Sequence, residues 1–182
     1  MIYLLGAALA GVISDYFFNL NYPHRRYPCT VILTVLSCVI LLKAFDDPLL
    51  IIKGLIFSQA LIFIGYSDGK THIIPNLMLL PVIASGFINF QPLTSLVGLI
   101  SVSSLLFVVA WLSHLDGAGG GDVKLAAATG FVLGPAANLA GTFIGFILFL
   151  IAYFSAFHRQ KKMYAMAPWL GAGCFIAYIL SN

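Results

Sequence analysis

Eight apolar segments, separated by short breaks of Pro, Gly and charged residues, run through the whole sequence. The seven breaks lie at about 19–28, 46–48, 67–75, 89–92, 115–124, 134–135 and 158–162. A bilayer core about 30 Å thick is crossed by roughly 20 apolar residues of helix. Backbone polar groups must be satisfied inside lipid, which favours helices. The pattern predicts an all-α, polytopic membrane helix bundle of about eight transmembrane helices, forming a single domain over residues 1–182.

Composition agrees with a membrane location. The chain is 61% hydrophobic and 8% charged, with a mean hydropathy of +1.03, whereas soluble domains carry about 25% charged residues. Its basic residues are scattered at segment ends rather than gathered in a stripe, so we expect membrane lipid and no nucleic acid as a partner. Cys38 and Cys174 lie inside apolar runs, Cys29 lies at the edge of one, and no C-x-x-C pair occurs. We interpret them as reduced packing residues rather than a metal site.

Two segments need separate comment. The first, from Ile2 to about Phe18, lacks a basic leading region and a small-residue cleavage site, so we expect a retained helix rather than a signal peptide. The sixth, from Asp122 to about Leu133, is too short to span the bilayer unless it begins in the preceding loop.

The distribution of Lys and Arg predicts the orientation. Counted over alternate loops, two basic residues, Lys43 and Lys53, fall on one side, and seven fall on the other: Arg25, Arg26, Lys70, Lys124, Arg159, Lys161 and Lys162. Cytoplasmic loops carry the excess of basic residues. We therefore expect both termini on the outer side, and Asp68 and Asp122 together on the cytoplasmic face.

Acidic residues are few, and each can be given an interpretation. All six are aspartates: Asp15, Asp46, Asp47, Asp68, Asp116 and Asp122. Asp46 and Asp47 precede Pro48 and are expected to form a solvated loop cap. For Asp15, near the cytoplasmic end of the first helix, we favour a structural ion pair with Arg25 or Arg26.

Asp68 and Asp122 are the candidates for chemistry. Asp68 follows the apolar stretch 55–66, and Pro75 is expected to open the next helix. Asp122 follows Gly119, Gly120 and Gly121 and is expected in the first turn of a helix. A helix cap is the alternative for each. Two close carboxylates that share one proton can activate water and protonate a scissile carbonyl, because their repulsion raises the pKa of one of them.

Neighbouring residues have weaker predicted roles. The glycines would let an extended substrate backbone approach, or would act as a hinge. Lys124, two positions after Asp122, is expected to point away from it and extend to lipid phosphates rather than tune the pair. For His72 and His114 we favour ordinary hydrogen bonds over tuning of the site. Asp116 competes with Asp122 for a catalytic place but precedes the glycines.

Several motifs resemble one family. The residues 119–122 fit the Gly-x-Gly-Asp signature of intramembrane aspartic proteases. Asp68 followed by Ile74-Pro75-Asn76, the stretch 121–125 and the stretch 167–173 resemble, in order, the first-aspartate, second-aspartate and last-helix motifs of type IV prepilin peptidases. The stretch 26–28 is similar to the entrance of that family's second helix. The resemblance runs from about Arg26 to the C-terminus.

The resemblance implies an aspartic endopeptidase of the bacterial inner membrane, with Asp68 and Asp122 catalytic and no cofactor or metal. Its substrates would be prepilins or pseudopilins, cleaved after the glycine that ends a short basic leader. Pro75, Asn76 and the three glycines would serve substrate binding or loop flexibility. Many members carry an insert with paired cysteines, associated with N-methylation, between the first two helices. Here that loop is only about ten residues, with Cys29 unpaired, which makes methyltransferase activity doubtful.

Two other classes of function remain open from the residues. A small transporter or channel could use Asp68 and Asp122 to bind cations or relay protons. A metal-dependent lipid headgroup transferase would use the Asp-Gly pairs at Asp68 and Asp116, but further acidic ligands at helical spacing are missing from the sequence.

Overall fold

The computed structural model describes residues 2–21, 29–112, 119–156 and 165–181. These residues form eight α-helices: α1 (Ile2–Asn21), α2 (Cys29–Ala44), α3 (Pro48–Thr71), α4 (Leu79–Gly86), α5 (Pro92–Leu112), α6 (Gly120–Leu133), α7 (Pro135–Ala156) and α8 (Ala167–Ser181). A 3₁₀ turn, Asn76–Met78, precedes α4. The predicted all-α membrane bundle with eight helices is confirmed. The side on which the termini lie stays a prediction.

The helices differ in length. Four are long and apolar enough to cross a membrane: Ile2–Leu20, Pro48–Thr71, Pro92–Leu112 and Pro135–Ser155. Large apolar side chains on the outer faces of these helices are exposed, as at Leu9, Phe107 and Phe143. In water such a surface would be costly, but in a bilayer it meets acyl chains. The helix α6 is short, as predicted, and begins at Gly120, two residues before the predicted start.

Helix α3 lies at the centre of the bundle. In an 18-residue apolar stretch of α3, half of the residues are buried inside the protein, compared with 17 to 28% in the other three long helices. It packs against α2, α4 and α8, while α5 pairs with α6 and α7 pairs with α8. Its buried face, which includes Phe57, Leu61 and Ile64, joins Leu170 and Tyr178 of α8 in the main apolar cluster. The central helix is thus the one that carries Asp68.

Glycines permit the closest helix crossings. A Cβ on Gly98 of α5 would overlap the carbonyl oxygen of Gly130 and would lie 2.7 Å from Cα of Gly134. Between α7 and α8, a Cβ on Gly141 would lie 2.9 Å from Cα of Cys174. Small residues that let two backbones touch are the usual means of helix association in lipid.

Some predicted boundaries were wrong. The break predicted at 67–75 begins too early, because α3 continues to Thr71. Asp68 therefore lies in the last helical turn rather than in a loop. Helix α3 ends at His72, which adopts the left-handed conformation (φ 54°) and donates its backbone N–H to the Asp68 carbonyl at 2.8 Å. Pro75 opens the 3₁₀ turn, and α4 begins only at Leu79.

The break predicted at 46–48 is confirmed. Helix α2 ends at Ala44 and α3 begins at Pro48. The side chain of Asp47 accepts a hydrogen bond from the Leu49 backbone N–H at 3.0 Å. Asp47 is thus an N-cap, as expected of a residue before a proline at the first helical position.

Candidate active site

Asp68 is held by the start of a distant helix. Its side chain is only 7% exposed, and its Oδ2 accepts the backbone N–H of Ala167 at 3.0 Å. Ala167 is the first residue of α8, and the first N–H groups of a helix lack partners within it. The contact satisfies that donor and fixes the orientation of the carboxylate.

Asp122 lies in the first turn of α6, outside the four long membrane-spanning helices. Gly119 precedes the helix in extended backbone (φ −65°, ψ 137°), and its carbonyl accepts the Asp122 N–H at 3.0 Å. Burial raises the pKa of Asp122 from 3.8 to about 6; the charge of Asp68 acts in the same direction and a hydrogen bond from the Gly119 backbone acts against it. The two carboxylates therefore lie close enough to interact electrically.

A short extended segment leads from α3, which carries Asp68, to the 3₁₀ turn before α4, and it contacts the helix that carries Asp122. It follows His72, whose side chain is exposed, and it runs past the N-terminal turn of α6. Ile74 meets Gly121 so closely that a Cβ there would lie 3.3 Å from the Ile74 side chain. Two residues on, Asn76 Oδ1 accepts a hydrogen bond from Lys124 Nζ at 3.0 Å.

The structure gathers most of the predicted site residues at this end of the bundle. Gly119 and Gly120 adjoin Asp122, and a Cβ on Gly120 would meet no atom within 4 Å. Lys124, expected to extend to lipid phosphates, instead has a protein partner in Asn76. The candidates Asp116 and His114 lie outside the described residues.

Asp15 makes contacts that the sequence did not predict. Its carboxylate accepts hydrogen bonds from the hydroxyl and the backbone N–H of Thr30 and from the N–H of Val31, the last at 3.4 Å. These are donors of the first turn of α2, so Asp15 ties α1 to the start of α2. The partners predicted for it, Arg25 and Arg26, lie outside the described residues.

Sequence reasoning missed two groups of this site. One is the Ala167 N–H, since a backbone donor carries no signal of its own, although Ala167 opens the last-helix motif. The other is Ile74, an apolar residue that was noted only as part of a motif. Its position before Pro75 was a usable signal, because a residue before proline favours extended backbone.

An apolar cavity of about 800 Å³ reaches the segment that follows Asp68. It lies between α1, α3 and the start of α4, and Pro75, Leu77 and Met78 line one part of it. The polar site therefore borders apolar surface. Among the described residues, no three His, Cys, Asp or Glu side chains are grouped as metal ligands would be.

Fold and site together define a class: a polytopic helical membrane protein with two interacting carboxylates at one end of its bundle. Residues 55–157 match the type IV leader peptidase family, and this range includes Asp68, Asp122 and the segment between them. Because the match covers more than half of the 182 residues, the chain belongs to the type IV leader peptidase family.

Curated relatives agree with the family match. The chain is 30% identical to a prepilin leader peptidase/N-methyltransferase of Bacillus subtilis (strain 168), over 86% of this chain and 66% of the relative. It is 29% identical to the protein of the same name from Neisseria gonorrhoeae, over 86% of this chain and 58% of that protein. It is 26% identical to the protein of the same name from Dickeya chrysanthemi, over 86% of this chain and 60% of that protein.

The chain thus spans 58 to 66% of the length of these relatives. No solved structure matches it.

Proposed function

We propose that this protein is an aspartic endopeptidase that removes the basic leader of type IV prepilins or pseudopilins. The substrate class is that named for its relatives. The observation that supports the mechanism is the interaction of Asp122 with Asp68, which helps to raise the pKa of Asp122 to about 6. Two close carboxylates that share one proton supply an acid and a base at once.

The raised pKa suggests a role for each aspartate. Asp122 retains its proton to a higher pH than an ordinary carboxyl group and would donate it to the scissile carbonyl oxygen. Asp68 would take a proton from the attacking water, whose oxygen forms the new bond to the carbonyl carbon. Transfer of that proton to the leaving nitrogen would accompany cleavage of the C–N bond, while Asp122 regains a proton from a hydroxyl group of the tetrahedral intermediate. The pair, rather than either residue, would titrate in a pH profile.

The count of basic residues supports a cytoplasmic location for the site. Seven of nine basic residues fall on the side that carries Asp68 and Asp122, which favours the cytoplasmic side of a bacterial inner membrane. A basic leader that stays in the cytoplasm would then end at the site. The apolar helix that follows it would lie in the membrane beside the bundle.

The proposal covers the peptidase activity alone. The relatives' names include an N-methyltransferase activity, but the stretch between α1 and α2, where such enzymes are expected to carry paired cysteines, is short here, 22–28, and is followed by a single cysteine, Cys29. We propose no methyl transfer for this chain.

The test is cleavage of a purified prepilin in detergent, followed as a mass shift. Asp68→Asn and Asp122→Asn should each abolish cleavage, because each removes one proton-transfer group and keeps the shape of the side chain. Asp46→Asn, the same change in the exposed turn before α3, is the matched control and should cleave normally. Thermal unfolding should show all three variants folded.

Cleavage by either site variant would refute the assignment. The transporter class would instead be supported if the wild-type protein carried cations or protons into proteoliposomes and cleaved no prepilin, and if both site variants lost this flux.

A further inference from the structure

Two contacts join the segment after Asp68 to the helix that carries Asp122. They are the packing of Ile74 on Gly121 and the hydrogen bond between Asn76 and Lys124. We refer to the four residues as the clamp: Ile74, Asn76, Gly121 and Lys124.

The helical half of the clamp is one face of α6. Gly121 and Lys124 are three residues apart, so they are neighbours on the helix surface. Asp122 follows Gly121 and points about 100° around the helix from it. A contact at Gly121 and Lys124 therefore orients the first turn of α6 without covering the Asp122 carboxylate.

The other half is an extended segment whose geometry the sequence favours. Pro75 has extended backbone angles (φ −65°, ψ 133°), and a residue before proline is restricted to extended conformations. Alternate residues of an extended chain point to the same side. Ile74 and Asn76 can therefore both meet one face of α6.

The clamp provides a short route between the two aspartates. His72 ends α3 by donating to the Asp68 carbonyl at 2.8 Å, and Ile74 lies only two residues further. Within the described chain, α6 packs extensively against α4, α5, α7 and α8. Helix α3 is not among those partners, so the segment after Asp68 supplies contacts with α6 beyond those of the main helix pairs.

We propose that the clamp sets the position of the Asp122 carboxylate relative to Asp68. Asn76 and Lys124 are then positioning residues, rather than a substrate-binding group and a charge modulator. The predicted effect on catalysis rests on the proposed function, whereas the proposed effect on the position of Asp122 relative to Asp68 does not.

The electrostatic surroundings of Asp122 allow the clamp to be tested. Charged or titratable groups from the end of α3 are Asp68, Lys70 and His72, and α6 itself adds Lys124. The helices α4 and α5 carry no ionisable side chain. Tyr153 lies on α7, and Cys174 and Tyr178 lie on α8. Of these groups, Asp68 is the one whose charge raises the pKa of Asp122.

The test is a double-mutant cycle of Asn76→Ala and Lys124→Met in the full chain. Each single variant should lower kcat for leader cleavage about tenfold with KM unchanged, because misplacement of a catalytic group slows chemistry rather than binding. The double variant should be no slower than the slower single variant, since both changes remove one interaction. Lys124→Arg, which keeps a donor, should restore most of the rate.

Lys70→Met is the matched control for the loss of one positive charge at this end. Lys70 lies 5.5 Å above the Tyr66 ring, away from the clamp, so kcat should stay unchanged. Additive losses in the double variant, a rise in KM instead of a fall in kcat, or an equal loss in Lys70→Met would each overturn the proposal.

A second measurement does not depend on cleavage. Infrared titration of the Asp122 carboxyl band, with Asp122→Asn as the blank, should show a lower pKa in Asn76→Ala than in the wild type, because the charge of Asp68, which adds to the effect of burial, becomes more distant. An unchanged pKa in Asn76→Ala overturns the clamp. If the wild-type chain cleaves no prepilin, the proposed function fails, while this titration still decides the clamp.

Discussion

Glycines in two regions of the molecule have opposite surroundings. At the helix crossings, a Cβ on Gly98 or Gly173 would overlap backbone atoms of the neighbouring helix. At the site, a Cβ on Gly120 would meet no atom within 4 Å, and the three atoms nearest to one on Gly121 all belong to the side chain of Ile74. The helix pairs are thus joined backbone to backbone, whereas the start of α6 is held by a few side-chain contacts. The two regions are therefore held by different kinds of contact.

The largest effect is expected at the crossings. Gly98→Ala should destabilise the protein by ~3 kcal/mol, because neither backbone can move without separating α5 from α6. Thermal unfolding in detergent measures it. Gly6→Ala, where a Cβ would meet no atom within 4 Å, is the control and should melt like the wild type. A normal melting temperature for Gly98→Ala would contradict the tight crossing.

The second-largest effect is expected in the pH dependence of kcat, which the proton on Asp122 should control. Since the pKa of Asp122 is raised to about 6, the folded protein holds this proton to a higher pH than an ordinary carboxyl group. If protonated Asp122 is the acid, kcat should fall roughly tenfold for each pH unit above that value. Steady-state cleavage rates between pH 5 and pH 8 test this, with Asp46→Asn expected to give the same profile. A rate that increases over this range would exclude the assigned roles.

A smaller effect should distinguish adjacent glycines of the site. Gly121→Ala should lower kcat about fivefold, because its Cβ would press on Ile74 at 3.3 Å and displace the first turn of α6. The same change at Gly120 should lower kcat clearly less, since a Cβ there would meet no atom within 4 Å. Cleavage rates and melting temperatures of the two variants, measured together, make the comparison. Equal rates would mean that the contact between Gly121 and Ile74 does not matter.

The smallest effect is expected at the end of α3. His72 has φ 54°, a conformation that costs most residues roughly 1–2 kcal/mol and glycine very little. His72→Gly should therefore raise stability by about 1 kcal/mol or less, after the loss of backbone freedom that glycine suffers on folding. Cleavage should be retained if the imidazole has no part in the chemistry. A lower melting temperature would show instead that the His72 side chain stabilises the fold.

The sequence allowed the fold class and several element boundaries to be predicted, because these depend on local composition. An apolar run of sufficient length must become a helix in lipid, whatever its neighbours are. The break at Pro48 and the place of Asp122 in a first helical turn were predicted for similarly local reasons. The end of α3 was missed, because Gly69 and Lys70 resemble a loop in sequence while the left-handed cap comes later, at His72.

The contacts that build the site could not be predicted in the same way. Asp68 meets a backbone donor 99 residues further along the chain, and Lys124 meets an acceptor 48 residues away. Asp15 bonds to the start of α2, a contact that the sequence did not predict. What the sequence by itself determined is a helical membrane bundle and two candidate aspartates, since hydrophobicity and helix signals act locally. Only the tertiary structure decided which groups orient those aspartates, because these contacts depend on how distant helices pack.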